Sequence, residues 1–158
     1  MSASTMERTV QRGNPVRIEI RRAATGDVET IHTHNLRTNA GADFQKNQMS
    51  GTAAAVANFI GVTANATAAS AADTTLTAEE TLNGLARATG TFNGGAAGTT
   101  SYTLSKTFTY SGGSPITLAK AGMFNAATVG TMVFEAVFGS TATLVSGDQI
   151  TVTWTVNI

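Results

Sequence analysis

The chain has 158 residues, no cysteine and a formal net charge of 0, and only 13% of its residues are charged. The lack of cysteine excludes disulfides and thiolate catalysis, and a surface so poor in charge gains little solubility from self-repulsion. A chain of this length can bury roughly two-thirds of the surface that it exposes when unfolded, so we expect one packed domain that associates with other subunits.

The amino-terminal part of the chain holds most of the charge and is predicted to form an arm followed by a hairpin. Residues 1–14 show no periodic pattern and are predicted to be an extended arm, of the kind that a neighbouring subunit often orders. Residues 16–22, VRIEIRR, alternate apolar and charged side chains as a half-buried strand does, and residues 28–34, VETIHTH, return after the turn residues AATGD. We assign residues 1–37 to this charged arm and hairpin, and residues 38–158 to a β-sandwich domain.

Six arginines and four carboxylates lie in the arm and hairpin. Because the two signs are mixed and no aromatic residue accompanies them, this segment suits salt-bridged contact with a protein surface. Nucleic acid is not expected as a partner, since its binding favours a basic stripe with aromatic side chains. The candidate partner-binding residues are Arg12, Arg17, Arg21 and Arg22.

One or two short helices are predicted after the hairpin. The first covers residues 38–50, where Thr38 or Asn39 can provide the N-cap. The second covers residues 76–85, because the sequence TAEE at Thr77–Glu80 matches a capping box.

The other apolar segments have the pattern of strands, and turn signals such as SGGSP and SGD separate them. VANFIGV is predicted to be a short apolar strand, and TTSYTLSKTFTY places Tyr102, Leu104, Phe108 and Tyr110 on one face. The chain ends on QITVTWTVNI, which alternates around Trp154 and would be a template for aggregation if it were left unpaired. Several short strands separated by turns predict an all-β fold, a single jelly-roll-like β-sandwich.

The faces opposite these apolar rows are rich in threonine, where an ordinary soluble sheet would carry lysine and glutamate. Threonine tolerates solvent, and it also packs against a similar face while its hydroxyl groups find partners. The threonine faces are therefore solvated, or form a subunit interface, or face a glycan.

No residue pattern in the chain indicates catalysis, and we do not expect an enzyme. His32 and His34 share a face of the predicted hairpin, but a metal site needs a third ligand that the sequence does not place beside them, so no metal or other cofactor is expected. No G-x-S-x-G elbow is present. The run GTFNGGAAGTT leads into a strand without a following lysine, unlike a phosphate-binding loop.

Glu135 is the carboxylate of most interest, because it interrupts the apolar run TMVFEAVF. A buried carboxylate needs a partner, and Lys106, Arg87 and Lys120 are the candidate cations. We expect a structural ion pair here.

The first residues, MSASTMERTVQRGNP, lack an apolar core behind their basic side chains, so no signal peptide is expected. The longest apolar stretch, residues 123–145, is interrupted by polar residues and glycines and is not expected to span a membrane.

Several segments together resemble a group of small structural proteins of tailed bacteriophages. They are NLRTNAGADFQKNQMSG, NFIGVTANATAASAADTTLTAEE, GLARATGTF, ITLAKAGMFNAATVGTMVFEAVF and LVSGDQITVTWTVNI, and they cover about residues 35–158. In that group a short helix precedes an apolar strand and an Ala/Thr/Asp loop, and an EAGLF-like turn, a GTM.AR..F strand and a final GD.....W.... strand close the domain. Lys120 departs from the pattern, since an acidic residue usually stands at its position.

The resemblance implies a component of the virion that is assembled in the cytoplasm of a bacterial host. We expect a capsid decoration (cement) protein, a homotrimer that binds the major capsid protein lattice and stabilises the assembled head. The alternative is a tail component in contact with neighbouring tail proteins, either a tail-tube ring subunit or a fibre domain. A third hypothesis is a carbohydrate-binding host-attachment module, but the aromatic residues that such a site would present fall on predicted core faces.

Overall fold

The computed structural model describes residues 13–52 and 55–158, and these form two five-stranded sheets and one α-helix. The strands and the helix, in chain order, are β1 (Pro15–Arg21), β2 (Val28–His34), β3 (Leu36–Arg37), α1 (Asn39–Met49), β4 (Phe59–Thr63), β5 (Ala88–Thr89), β6 (Thr91–Asn93), β7 (Ser101–Thr109), β8 (Ile116–Phe124), β9 (Met132–Leu144) and β10 (Gln149–Asn157). Sheet A has the strand order β2-β1-β10-β7-β6, and sheet B has the order β3-β9-β8-β4-β5. The all-β sandwich predicted from the strand pattern is confirmed.

Sheet A buries one face because its strands alternate apolar and polar residues. Along β1, Val16, Ile18 and Ile20 are buried and the residues between them are exposed or half-buried. Strand β10 repeats this pattern around the fully buried Trp154. It pairs with β1 on one side and with β7 on the other, so the apolar end of the chain has no free edge. The charged hairpin thus contributes both of its strands to sheet A.

Strand β9 in sheet B is buried on both faces along its first five residues. Ala136 belongs to the main core, so the adjacent Glu135 points to the opposite side of the sheet. That side is covered by α1, which packs against β9, and by the segment 64–80, in which the Thr67 hydroxyl accepts a hydrogen bond from Lys120 of β8. Within this segment Leu76 packs against Phe124 in a small second cluster. Sheet B is therefore covered on both sides.

The chain itself closes both sides of the sandwich. Asn35 separates β2 in sheet A from β3 in sheet B, and Gly90 separates β5 in sheet B from β6 in sheet A. On the first of these sides Thr33 Oγ1 donates a hydrogen bond to the carbonyl oxygen of Val137 at 2.8 Å, which links β2 to β9.

The first predicted helix is confirmed as α1. Its N-cap is Thr38, whose Oγ1 accepts a hydrogen bond from the Gly41 N–H at 2.9 Å and donates one to the Met132 carbonyl at 2.5 Å. Gly51, with a φ of 72°, follows the last turn and lets the chain leave the helix. No helix in the described part of the chain is long and apolar enough to cross a membrane.

Replacing Thr38 with valine is expected to lower the free energy of unfolding by about 1–2 kcal/mol, because the hydrogen bonds of the hydroxyl to Gly41, Met132 and Val133 are lost inside the protein. Thr81→Val is the control, since Thr81 is exposed and its hydroxyl makes no hydrogen bond to the described residues. Urea unfolding curves check the difference. Equal curves for the two variants would contradict the role of the Thr38 hydroxyl.

The second of these helices, over residues 76–85, does not form, and the segment makes turns instead. Ala78 and Asn83 have φ angles of 52° and 55°, which an α-helix of L-residues does not contain. The Thr63 hydroxyl also donates hydrogen bonds to the carbonyl oxygens of Thr77 and Ala78, at 2.9 and 2.8 Å. Contacts with β4 here override the local capping-box pattern.

Candidate partner-binding face

The outer face of sheet A is not covered by any described segment, unlike the outer face of sheet B. Its residues are those that alternate with the buried rows, and the strand register brings them into lines across the sheet. We call this surface the polar face. It consists of Val28, Thr30, His32 and His34 on β2, Pro15, Arg17, Glu19 and Arg21 on β1, Gln149, Thr151, Thr153, Thr155 and Asn157 on β10, Ser101, Thr103, Ser105, Thr107 and Thr109 on β7, and Thr91 and Asn93 on β6.

Two of the four predicted contact residues, Arg17 and Arg21, lie on the polar face. Both are exposed, and the guanidinium group of Arg17 pairs with the carboxylate of Glu19 on the same strand. The outward residues of β10, β7 and β6 carry only hydroxyl and amide groups. The polar face therefore has a charged half, on β1 and β2, and an uncharged half, on β10, β7 and β6.

The hydroxyl groups of the uncharged half are only partly used within the protein. The Oγ1 atoms of Thr107 and Thr151 lie 2.8 Å apart across two strands and share a hydrogen bond. The side chains of Ser105 and Thr153, which face each other in the next line, make no hydrogen bond to the described residues. Their hydroxyl groups are free to bind water or a partner.

Arg22, another predicted contact residue, is held by partners within the protein. Its Nη1 donates to Asp148 Oδ2 at 2.9 Å and to the Thr143 carbonyl at 2.5 Å, and its Nε donates to Glu29 Oε1 at 2.7 Å. The hydrogen bond to Asp148, followed by that to Glu29, raises the pKa of the guanidinium above its usual value. Arg22 thus fastens the turn between β1 and β2 to the turn between β9 and β10.

Asp148 is the key residue of this contact, although the sequence predicts only that it lies in a turn. Its side chain is 1% exposed. Its carboxylate accepts hydrogen bonds from the backbone N–H groups of Ala23 and Val145, at 2.9 and 3.1 Å, and from Arg22. Burial acts to raise the pKa of Asp148, but the two backbone hydrogen bonds and the Arg22 guanidinium outweigh it and hold the pKa below its usual value. The sequence SGDQ indicates the turn but not these partners.

Asn14 ties the start of the described chain to its last strand. Its N–H donates to Asn35 Oδ1 at 2.6 Å, its carbonyl accepts from the Asn35 N–H at 3.0 Å, and its Oδ1 accepts from the Asn157 N–H at 3.1 Å. The sequence predicts Asn14 in the extended arm, and the structure places it in the sandwich. Residues 1–12, with the predicted contact residue Arg12, lie outside the described residues.

His32 and His34 lie on the same side of β2, as the sequence predicted. Within residues 13–52 and 55–158, no group of three or more histidine, aspartate and glutamate side chains is arranged to hold a metal ion.

Comparisons of the chain with protein-family models, with curated proteins and with solved structures find no match.

Proposed function

We propose that the chain is a structural component of a tailed-phage virion, a capsid decoration (cement) protein that binds and stabilises the assembled head. The observation that carries the proposal is the polar face, a five-stranded surface that no described segment covers. A protein that binds only the assembled lattice shifts the equilibrium away from disassembly by mass action. This role needs a binding surface rather than a reaction centre.

The two halves of the polar face suit two kinds of contact. Arg17 and Arg21 alternate with Glu19 on the charged half, and such mixed charges favour a specific, oriented contact with a capsid surface of complementary charge. Around a three-fold axis, one part of the uncharged half can pack against a different part of it on the next copy, because threonine-rich surfaces bring no like charges together. We assign the charged half to the capsid lattice and the uncharged half to a homotrimer.

A buried ion pair occupies two positions at which the chain departs from the phage pattern. Lys120 stands where the phage pattern has an acidic residue, and Glu135 stands where the GTM.AR..F strand has its arginine. Lys120 Nζ lies 2.6 Å from Glu135 Oε1. The two departures from the pattern are therefore opposite in charge and pair with each other in this chain.

The capsid contact predicts a specific effect of charge reversal. Arg17→Glu combined with Arg21→Glu is expected to weaken binding to phage heads at least about tenfold, because like charges then meet across the interface. The free energy of unfolding should change by no more than about 0.5 kcal/mol for each exposed substitution. Co-sedimentation of the purified chain with heads, over a range of chain concentrations, measures the binding.

The matched control reverses two charges elsewhere. Arg37→Glu combined with Lys46→Glu changes the net charge by the same amount, but Arg37 lies on β3 and Lys46 on α1, away from the polar face. This variant should bind heads like the wild type. Equal losses in both double variants, or no binding of the wild type to heads, would overturn the assigned surface.

Native mass tests the proposed assembly and separates it from the alternatives. Size-exclusion chromatography with light scattering should give a homotrimer that sediments with heads. A hexamer would instead favour the tail-tube ring subunit, and a trimer found on tails would favour the fibre domain. A monomer that binds neither heads nor tails would overturn the virion proposal.

Deleting residues 1–12, rather than 1–14, tests the arm without removing the hydrogen bonds of Asn14.

A further inference from the structure

The chain contains two Asn-Gly pairs, Asn83–Gly84 and Asn93–Gly94. In such a pair the glycine amide nitrogen can approach the asparagine side-chain carbon closely, because glycine has no Cβ and few conformational restrictions. Attack at that carbon starts the deamidation of asparagine. The surroundings of the two pairs differ in ways that decide which of them can react.

Asn93 is the last residue of β6, on an outer edge of sheet A, and the glycines after it are exposed. The Gly95 N–H donates a hydrogen bond to Asn93 Oδ1 at 3.0 Å. This bond turns the side-chain amide back towards the following backbone, and it stabilises the negative charge that develops on Oδ1 when the carbon is attacked. The Gly94 N–H makes no hydrogen bond to the described residues, so no bond need be broken before it reacts.

Contacts with neighbouring segments hold the backbone at Asn83 and Gly84, whereas the Gly94 N–H makes no such contact within the described residues. Its carbonyl oxygen accepts a hydrogen bond from the Ser111 N–H at 3.0 Å. Gly84 lies so close to the Thr109 carbonyl that a Cβ there would be 2.0 Å from the oxygen. The next residue, Leu85, is buried in the core. Closing a ring between Gly84 and the Asn83 side chain requires rotation of the peptide between them, and these contacts oppose that rotation.

We propose that Asn93 is a site of spontaneous deamidation, with water as its only co-reactant. The Gly94 nitrogen forms a bond to Cγ of Asn93, and the side-chain amide leaves as ammonia with the proton that the Gly94 nitrogen gives up. Water then opens the five-membered imide at one of its two carbonyl carbons. Opening at one carbonyl gives aspartate, and opening at the other gives isoaspartate.

Both products change the uncharged half of the polar face. Each places a carboxylate beside hydroxyl groups, and isoaspartate also lengthens the backbone at the position that pairs with Thr103. Any effect on subunit contacts rests on the proposed function, whereas the modification itself does not. A chain that deamidates at Asn93 but is not a virion protein would leave this inference intact.

The test follows isoaspartate in the folded, full-length chain during storage in mildly alkaline buffer. An isoaspartate-specific methyltransferase labels the product, and peptide mapping locates it. We expect at least about tenfold more product at Asn93 than at Asn83, equivalent to about 1.4 kcal/mol in the barrier. Asn93→Gln should remove most of the label, and Asn83→Gln should leave it unchanged.

Denatured chain provides the internal reference, because both Asn-Gly pairs should react in urea once the contacts of Asn83 are lost. No isoaspartate in the folded wild type, or equal amounts at the two asparagines of the folded chain, would overturn the proposal.

Discussion

Replacing Glu135 with leucine is expected to lower the free energy of unfolding by about 3–5 kcal/mol. The Glu135 side chain is 0% exposed, and that of its partner Lys120 is 2% exposed. Leucine would leave the Lys120 ammonium buried, with the Thr67 hydroxyl at 3.3 Å as its hydrogen-bond partner. A buried charge that loses its counter-charge costs more free energy than the intact pair contributes.

The double variant Lys120→Met with Glu135→Leu should recover most of this loss, because neither charge is then left alone in the interior. A double-mutant cycle of urea unfolding curves measures the coupling between the two side chains. Glu80→Leu is the control, since Glu80 is only half-buried and forms no ion pair within the described residues. Wild-type stability in Glu135→Leu would show that the pair is not buried in solution.

The single variant Lys120→Met should have a loss of stability that depends on pH. Burial raises the pKa of Glu135, and the neighbouring Asp73 carboxyl adds to the rise, while Lys120 opposes it. Without Lys120, whose charge lowers the pKa of Glu135, that pKa rises further. A carboxyl with a raised pKa in the folded state favours folding most below its unfolded pKa of about 4.3. The loss should therefore be smallest in acid and should grow as pH rises through the folded pKa of Glu135.

The sequence predicts best the elements whose signals are local. Strands β1 and β10 alternate over their whole length, and β7 does so except at Lys106, so the alternation predicts their buried faces together with the strands themselves. The helix after Thr38 has its own N-cap. The segment 76–85 carries a capping-box pattern but forms no helix, because the hydrogen bond that fixes Thr77 comes from Thr63, which is 14 residues away.

The same contrast between local patterns and long-range contacts applies to the candidate partner-binding face. Arg17 and Arg21 share a face because alternate residues of a strand point the same way. Arg22 follows the end of the strand, and its partner Asp148 is 126 residues away in the sequence. No local pattern indicates that contact. The choice of Lys120 as the partner of Glu135, among three candidate cations, likewise depends on the register of β8 and β9.

Asp148→Ala is expected to lower the free energy of unfolding by about 3 kcal/mol or more. Alanine leaves the backbone N–H groups of Ala23 and Val145 without their acceptor, and it removes the carboxylate that pairs with Arg22. Asp27→Ala is the control, because Asp27 is an exposed carboxylate of the same hairpin whose side chain bonds only to Thr25 among the described residues. Urea unfolding near neutral pH compares the two variants. Equal losses would contradict the anchoring role of Asp148.

The pH dependence separates this contact from the Lys120–Glu135 pair. The pKa of Asp148 is lowered in the folded protein, so its carboxylate contributes its full stability above the unfolded pKa of about 3.9. That contribution is lost as pH falls through the folded pKa. The difference between the wild type and Asp148→Ala should therefore be constant at neutral pH and shrink only in strong acid. The difference caused by Lys120→Met should still grow above pH of about 4.3, because Glu135 titrates above its unfolded pKa. Opposite pKa shifts of two buried carboxylates thus place their effects in two different pH ranges of one titration.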